Sequence, residues 1–100
     1  MIPHESIERN GDALKNYLIL MTAQWCRYCP AQKAVLNNLK DQGYITYNFD
    51  VDKFPDVAKK MATGPIPLTV IMDKGHEVKR FEGGTSANTL KKYLRKRSEQ

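Results

Sequence analysis

The chain has 100 residues, 41% hydrophobic and 27% charged, which suits one small globular domain over residues 1–100 with a single core. It holds no run of about 18 apolar residues, and its first fifteen residues lack the apolar stretch of a secretory signal, so a membrane-spanning helix is excluded and a cytoplasmic protein is expected. The net charge of +5 lies wholly in residues 74–100, where eight Lys and Arg oppose three Asp and Glu. These cations are expected on the solvated end of a last helix, where its dipole favours them. No aromatics interleave with them as a base-stacking platform requires, so a nucleic-acid partner is not expected.

Residues 1–15 are weakly patterned and suggest one short helix, broken at Asn10-Gly11. Tyr17-Leu18-Ile19-Leu20-Met21 is a continuous apolar run, the pattern of a central strand buried on both faces. From Cys26 to Asp41 the spacing predicts a helix, with Ala31, Val35, Leu36 and Leu39 on one side, Lys33, Asn37 and Lys40 on the other, and Gly43 near its end. Ile45, Tyr47, Phe49 and Val51 alternate with Thr46, Asn48 and Asp50, as in a strand that buries one face. Pro55 then opens a short helix over about residues 56–62. Leu68 to Met72 is a third strand, Asp73-Lys74-Gly75-His76 a turn, and Glu77 to Phe81 the returning arm of a hairpin. After Gly83-Gly84, Thr85 or Ser86 caps a last helix with Leu90, Tyr93 and Leu94 as its core stripe. The order β-α-β-α-β-β-α predicts an α/β fold with parallel pairing through right-handed crossovers. The hairpin adds an antiparallel pair, so the four-stranded sheet is mixed and flanked by helices.

The two cysteines are too few for a disulfide framework or, alone, for a zinc site. His4 and His76 stand in no ligand-spaced motif, so neither a metal nor a cofactor is expected. Their spacing is the informative fact. Trp25-Cys26-Arg27-Tyr28-Cys29-Pro30 straddles the junction between the first strand and the helix after it. At a helix N-terminus the unpaired N–H groups and the positive dipole end favour a thiolate over a thiol. Residues three apart in a first helical turn bring their Cβ atoms to ~5–6 Å, so modest adjustment closes a disulfide. A dithiol that opens and closes in place performs thiol–disulfide exchange, with Cys26 attacking and Cys29 resolving. The charge of Arg27 is expected to lower the Cys26 pKa further. Tyr28 offers a hydroxyl near the sulfurs or packs beside the helix, and Pro30 occupies a tolerated first-turn position.

At these residues the chain resembles the thioredoxin superfamily, over roughly residues 17–97. The resemblance rests on Trp25-Cys26-Arg27-Tyr28-Cys29 after an apolar strand, Gly64-Pro65-Ile66-Pro67 before another, and Gly83 ahead of the final amphipathic helix. It implies a thioredoxin-like fold in which Pro67 is the cis-proline facing the cysteines, and in which Ile66, Pro67 and Gly83 contact substrate. An exposed Ile66 backbone would pair with an extended segment, and a proline without an N–H suits the start of a strand beside such a groove. Two positions depart from the pattern. Leu20 and Asn48 stand where thioredoxins carry a buried Asp and a Lys; losing both avoids an unpaired buried ion but removes the usual proton acceptor for Cys29. Tyr28 is similar to the glutaredoxin active site, whereas Pro65 replaces the Thr usual there.

The residues and the resemblance together imply an enzyme that reduces protein disulfides as a monomer, with a reductase or glutathione as electron donor. A glutathione-linked glutaredoxin, including cluster carriage through Cys26, is one alternative. A partner-binding subunit using the fold as a clamp is another, although a clamp needs neither cysteine.

Overall fold

A computed structural model describes residues 3–100. Its elements are α1 (Pro3–Arg9), β1 (Tyr17–Thr22), α2 (Cys29–Asp41), β2 (Thr46–Asp50), α3 (Pro55–Lys60), β3 (Leu68–Asp73), β4 (His76–Glu82) and α4 (Ala87–Lys91), with a final 3-10 turn at Arg97–Glu99. The four strands form one sheet in the order β2-β1-β3-β4. All six residues of β1 are buried, as its unbroken apolar run requires of a central strand covered on both faces. Alternation sends Tyr17, Ile19 and Met21 to a core shared with Ile7, Phe49, Val57 and Val70. Leu18 and Leu20 go to the opposite core, with Leu36 and Leu39 of α2 and Leu90 of α4.

β1 and β2 are parallel, β3 and β4 antiparallel, and the sheet is mixed as expected. The direction of β3 is a correction, because it runs antiparallel to β1 rather than parallel. The reason lies in the connection. β2 ends where Val51 N–H bonds to Thr22 C=O, and β3 begins with Leu68 opposite Met21, so both meet the same end of β1. The six-residue α3 never carries the chain back along the sheet, and β3 therefore enters reversed. In the β3–β4 hairpin, Lys74 and Gly75 take positive φ, +54° and +82°, as the turn requires. The register then shifts between Ile71 and Met72, which leaves Val78 as an extra residue in β4.

Three further expectations are corrected. The helix starts at Cys29, not Cys26, because Cys26 N–H bonds to Ala23 C=O (3.2 Å) and Cys29 N–H to Cys26 C=O (3.4 Å), forming turns ahead of it. In α2, Leu36 and Leu39 are buried as expected and Val35 is half-buried, but Gln32 is buried in place of Ala31, which is exposed. α4, capped by Ser86, which accepts from Thr89 N–H, ends at Lys91. Tyr93 consequently falls outside the core and packs its ring edge on Phe81 at 5.7 Å, while Leu90 and Leu94 are buried.

At the basic end of the chain Lys91 lies in the last turn of α4 and Lys92, Arg95 and Arg97 are exposed, as expected, but two of these cations are also paired. Arg95 bonds to Asp73 (2.8 Å), and Arg97 forks onto both carboxylate oxygens of Asp12 (2.9 and 3.2 Å). Asp12 is fully buried and also accepts from the Tyr47 hydroxyl at 2.5 Å; burial and then this bond push the Tyr47 phenol up. Nearby, the buried Asn16 side chain accepts from Arg95 N–H and donates to Tyr93 C=O. Arg97→Ala is expected to lower unfolding stability by about 1–3 kcal/mol, the cost of a buried acceptor losing its charged donor. Chemical denaturation measures it. Asp12→Asn in the Arg97→Ala background should cost less than the sum of the two single changes, since no buried charge is then left unmatched.

Candidate active site

Cys26 and Cys29 are joined in a disulfide, with Cα atoms 5.4 Å apart. β1 carries the chain out of the core, the turns at 23–26 and 26–29 fold it back, and α2 begins on Cys29 with Pro30 in its first turn. Tyr28 is the N-cap residue and makes no side-chain capping bond, leaving α2's first N–H groups directed at this end of the molecule. The cysteines differ in access. Cys26 keeps 7% of its surface and Cys29 only 1%, so Cys26 is the more accessible of the two.

Trp25 and Tyr28 flank the pair with rings 69% and 68% exposed, and Arg27 and Pro30 are also exposed. Arg27 forms no ion pair among the described residues. The Trp25 indole donates to Asp52 at 2.7 Å, and Asp50 holds the turn beyond β2 by accepting from Asp52 N–H (2.9 Å) and Lys53 N–H (3.3 Å). Ile66 packs against the cluster of Ala23, Cys26 and Cys29, and the Ile66–Pro67 peptide bond is cis. Pro67 is buried, and its C=O accepts from Gly83 N–H at 2.9 Å; Gly83 has φ +83°, a region open to glycine. A groove of about 330 Å³ runs beside the disulfide, lined by Trp25, Val51, Ala58, Thr63, Gly64, Pro65 and Ile66. The structure thus gathers Trp25, Cys26, Cys29 and Ile66 at one end of the sheet, with Pro67 and Gly83 joined behind them.

Beneath the site Leu20 is completely buried, opposite Asn48 on β2 and Thr69 on β3. Asn48 faces no ion there; its side-chain oxygen accepts from the Thr22 hydroxyl at 2.9 Å. Among the described residues no group of three or more His, Cys, Asp or Glu could hold a metal; the His4 side chain lies outside them. Two residues of the site escaped the sequence reading. Asp52 is signalled only by an Asp-x-Asp turn after β2, and Gln32 by nothing in its helix, because the group that bonds it lies 53 residues away.

A parallel pair of strands feeding a cysteine-bearing helix, with an antiparallel hairpin behind it, defines a protein of thioredoxin fold. The thioredoxin family model matches residues 5–96, and the chain belongs to that family. It is 30% identical over 88 residues to thioredoxin H2 of Arabidopsis thaliana, covering 84% of this chain and 65% of that protein. It is likewise 30% identical over 91 residues to the H-type thioredoxin of Fagopyrum esculentum, covering 89% and 78%. Against thioredoxin Y1 of Arabidopsis, a chloroplastic protein, it spans only 51% of the relative's length. Among solved structures, thioredoxin NaTrxh from Nicotiana alata superposes with a TM-score of 0.78 at 22% identity, covering 92% of this chain and 86% of that one. The reduced Schistosoma mansoni thioredoxin pre-protein superposes with 0.77 at 22% identity, covering 90% and 88%.

Proposed function

We propose that the protein is a thiol–disulfide oxidoreductase that reduces disulfides in other proteins. The observation that carries this is the Cys26–Cys29 disulfide, with its more accessible sulfur beside an apolar groove. In the reduced protein the Cys26 thiolate attacks a substrate disulfide, forming a mixed disulfide and releasing one substrate thiolate, which takes a proton from solvent. Cys29 then loses its proton and attacks Cys26 Sγ. The Cys26–Cys29 disulfide closes, the second substrate thiolate leaves, and two electrons have passed to the substrate. The α2 N-terminus favours the attacking thiolate, and Ile66 offers its backbone to an extended segment on the substrate, with the buried Pro67 fixing the chain beside it. Gly83 supports that backbone from behind. No helix among the described residues is long and apolar enough to cross a membrane, and we place the protein in the reducing cytoplasm.

Insulin reduction with dithiothreitol tests the activity. A protein that binds insulin without accelerating its reduction would be a clamp and not an enzyme. Recycling by thioredoxin reductase or by glutathione with glutathione reductase then identifies the electron donor, a thioredoxin-type donor being expected from the family.

Arg27 is expected to make the pair slightly more oxidising by favouring the reduced, thiolate form. Because its guanidinium is exposed, Arg27→Gly should lower the potential by only about 10–20 mV, the equivalent of a surface charge interaction. Equilibration with glutathione buffers reads this directly, and an unmoved potential shows the charge fully screened.

A further inference from the structure

Gln32 stands out in α2 because it is a carboxamide with only 4% of its surface accessible. Both ends of that amide are taken by the main chain of one residue. Gln32 Nε2 donates to Thr85 C=O at 3.0 Å, and Thr85 N–H donates to Gln32 Oε1 at 3.0 Å. This is the pattern of a rung between two strands, supplied by a side chain. Gln32 lies one turn after Cys29, and its own N–H bonds to Tyr28 C=O at 3.4 Å, closing the turn that carries the cysteine. From Thr85 the chain runs back to Gly83, whose N–H holds Pro67 C=O at 2.9 Å, and Ile66 beside it packs on the sulfur cluster. Two hydrogen bonds from Gln32 therefore tie the loop after β4 to α2, and the Gly83–Pro67 bond, the next rung beyond the Leu68–Glu82 pair, carries that tie to the groove-lining segment.

The geometry points to Gln32 as a positioning residue for protein substrates. It clamps the Gly83–Thr85 loop to α2 and so fixes Ile66 and Pro67 at a set distance from Cys26. This role rests on the activity proposed above. Gln32 touches neither sulfur in any hydrogen bond, so it governs docking and not the exchange itself. A small disulfide needs only access to Cys26, whereas a polypeptide must also lie along the Ile66 backbone. Loss of the clamp therefore separates the two kinds of substrate.

The test compares wild type with Gln32→Leu, which keeps a buried side chain but breaks both bonds to Thr85. KM for insulin is expected to rise about tenfold, while kcat and the rate of reducing a small aromatic disulfide stay within about twofold. The Cys26–Cys29 potential should not move. If Gln32→Leu does not fold, Gln32→Met, unbranched and close in volume, replaces it with the same expectations. An unchanged KM for insulin overturns the role, and so does an equal loss on both substrates. A wild-type protein that reduces neither substrate overturns the activity itself, and this role with it. That outcome differs from the others because it is seen before any substitution is made.

Discussion

Cys26→Ser is expected to abolish insulin reduction, by more than about a thousandfold, whereas Cys29→Ser arrests the protein as a covalent adduct with its substrate. The asymmetry follows from access and order. Cys26 sits in the turn ahead of α2 with 7% of its surface open, and Cys29 lies beneath it at 1%. On the proposed function Cys26, the more accessible of the two, meets the substrate sulfur, and Cys29 attacks Cys26 from within. Serine at position 26 removes the attacking thiolate, and its hydroxyl is too weakly acidic to replace it. Serine at position 29 leaves the first attack intact but removes the group that would release the product, so the mixed disulfide accumulates. Intact-protein mass spectrometry after mixing with a protein disulfide distinguishes the two outcomes. Alkylation of reduced wild type near neutral pH should modify Cys26 first; prior modification of Cys29 would reverse the assignment.

Leu20→Asp carries the second large effect, an expected loss of about 3–5 kcal/mol. Leu20 has no accessible surface, and the small void around it, between Leu18, Gln32, Leu36, Thr69 and Leu90, has no room for a water molecule. A carboxylate there meets no cation, since Asn48 is its neighbour on β2. The Thr69 hydroxyl, buried and without a hydrogen-bond partner, lies on the residue opposite. Burial raises the pKa of such an acid above its unfolded value of about 3.9. The protonated form then carries the fold. The variant keeps its full stability below the unfolded pKa and loses it as pH rises through the folded pKa, so its deficit against wild type narrows in acid. Denaturation at several pH values checks this, and Asn48→Lys added to Leu20→Asp should recover part of the loss. The same carboxylate could take the proton from Cys29, so the mixed disulfide should resolve faster in Leu20→Asp than in wild type. In wild type the decay should follow the Cys29 thiol alone; control by a group titrating well below it would reveal another base.

What the sequence disclosed and what it hid divide along the range of the interactions concerned. β1 was legible because five of its six residues form an unbroken apolar run and all six are buried, a local pattern with a local meaning. The cysteine pair was legible for the same reason, since four consecutive positions and the junction before a helix define it. The start of α2 was not, because main-chain bonds from Cys26 to Ala23 and from Cys29 to Cys26 delay the helix, and such bonds leave no trace in side-chain type. Nothing near Gln32 in the sequence signals its burial, because the Thr85 main chain that satisfies its amide lies 53 residues on. The C-terminal cations are exposed as the sequence suggests, but the pairing of Arg95 with Asp73 and of Arg97 with Asp12, each more than twenty residues away, leaves no local sign. The direction of β3 depends on which end of β1 it meets, and alternation of polarity says nothing of that.

The extra residue in β4 bears on how the molecule behaves in company. β4 is an outer strand of the sheet, and an outer strand presents unpaired main-chain groups that can template another chain. Val78, half exposed and without an opposite residue, breaks the straight run of that edge, and Lys79 and Arg80 follow it directly. A strand edge bent in this way zips poorly onto a copy of itself. The bulge thus guards against fibre-like stacking at high concentration, a protection that lies far along the sheet from any sulfur chemistry.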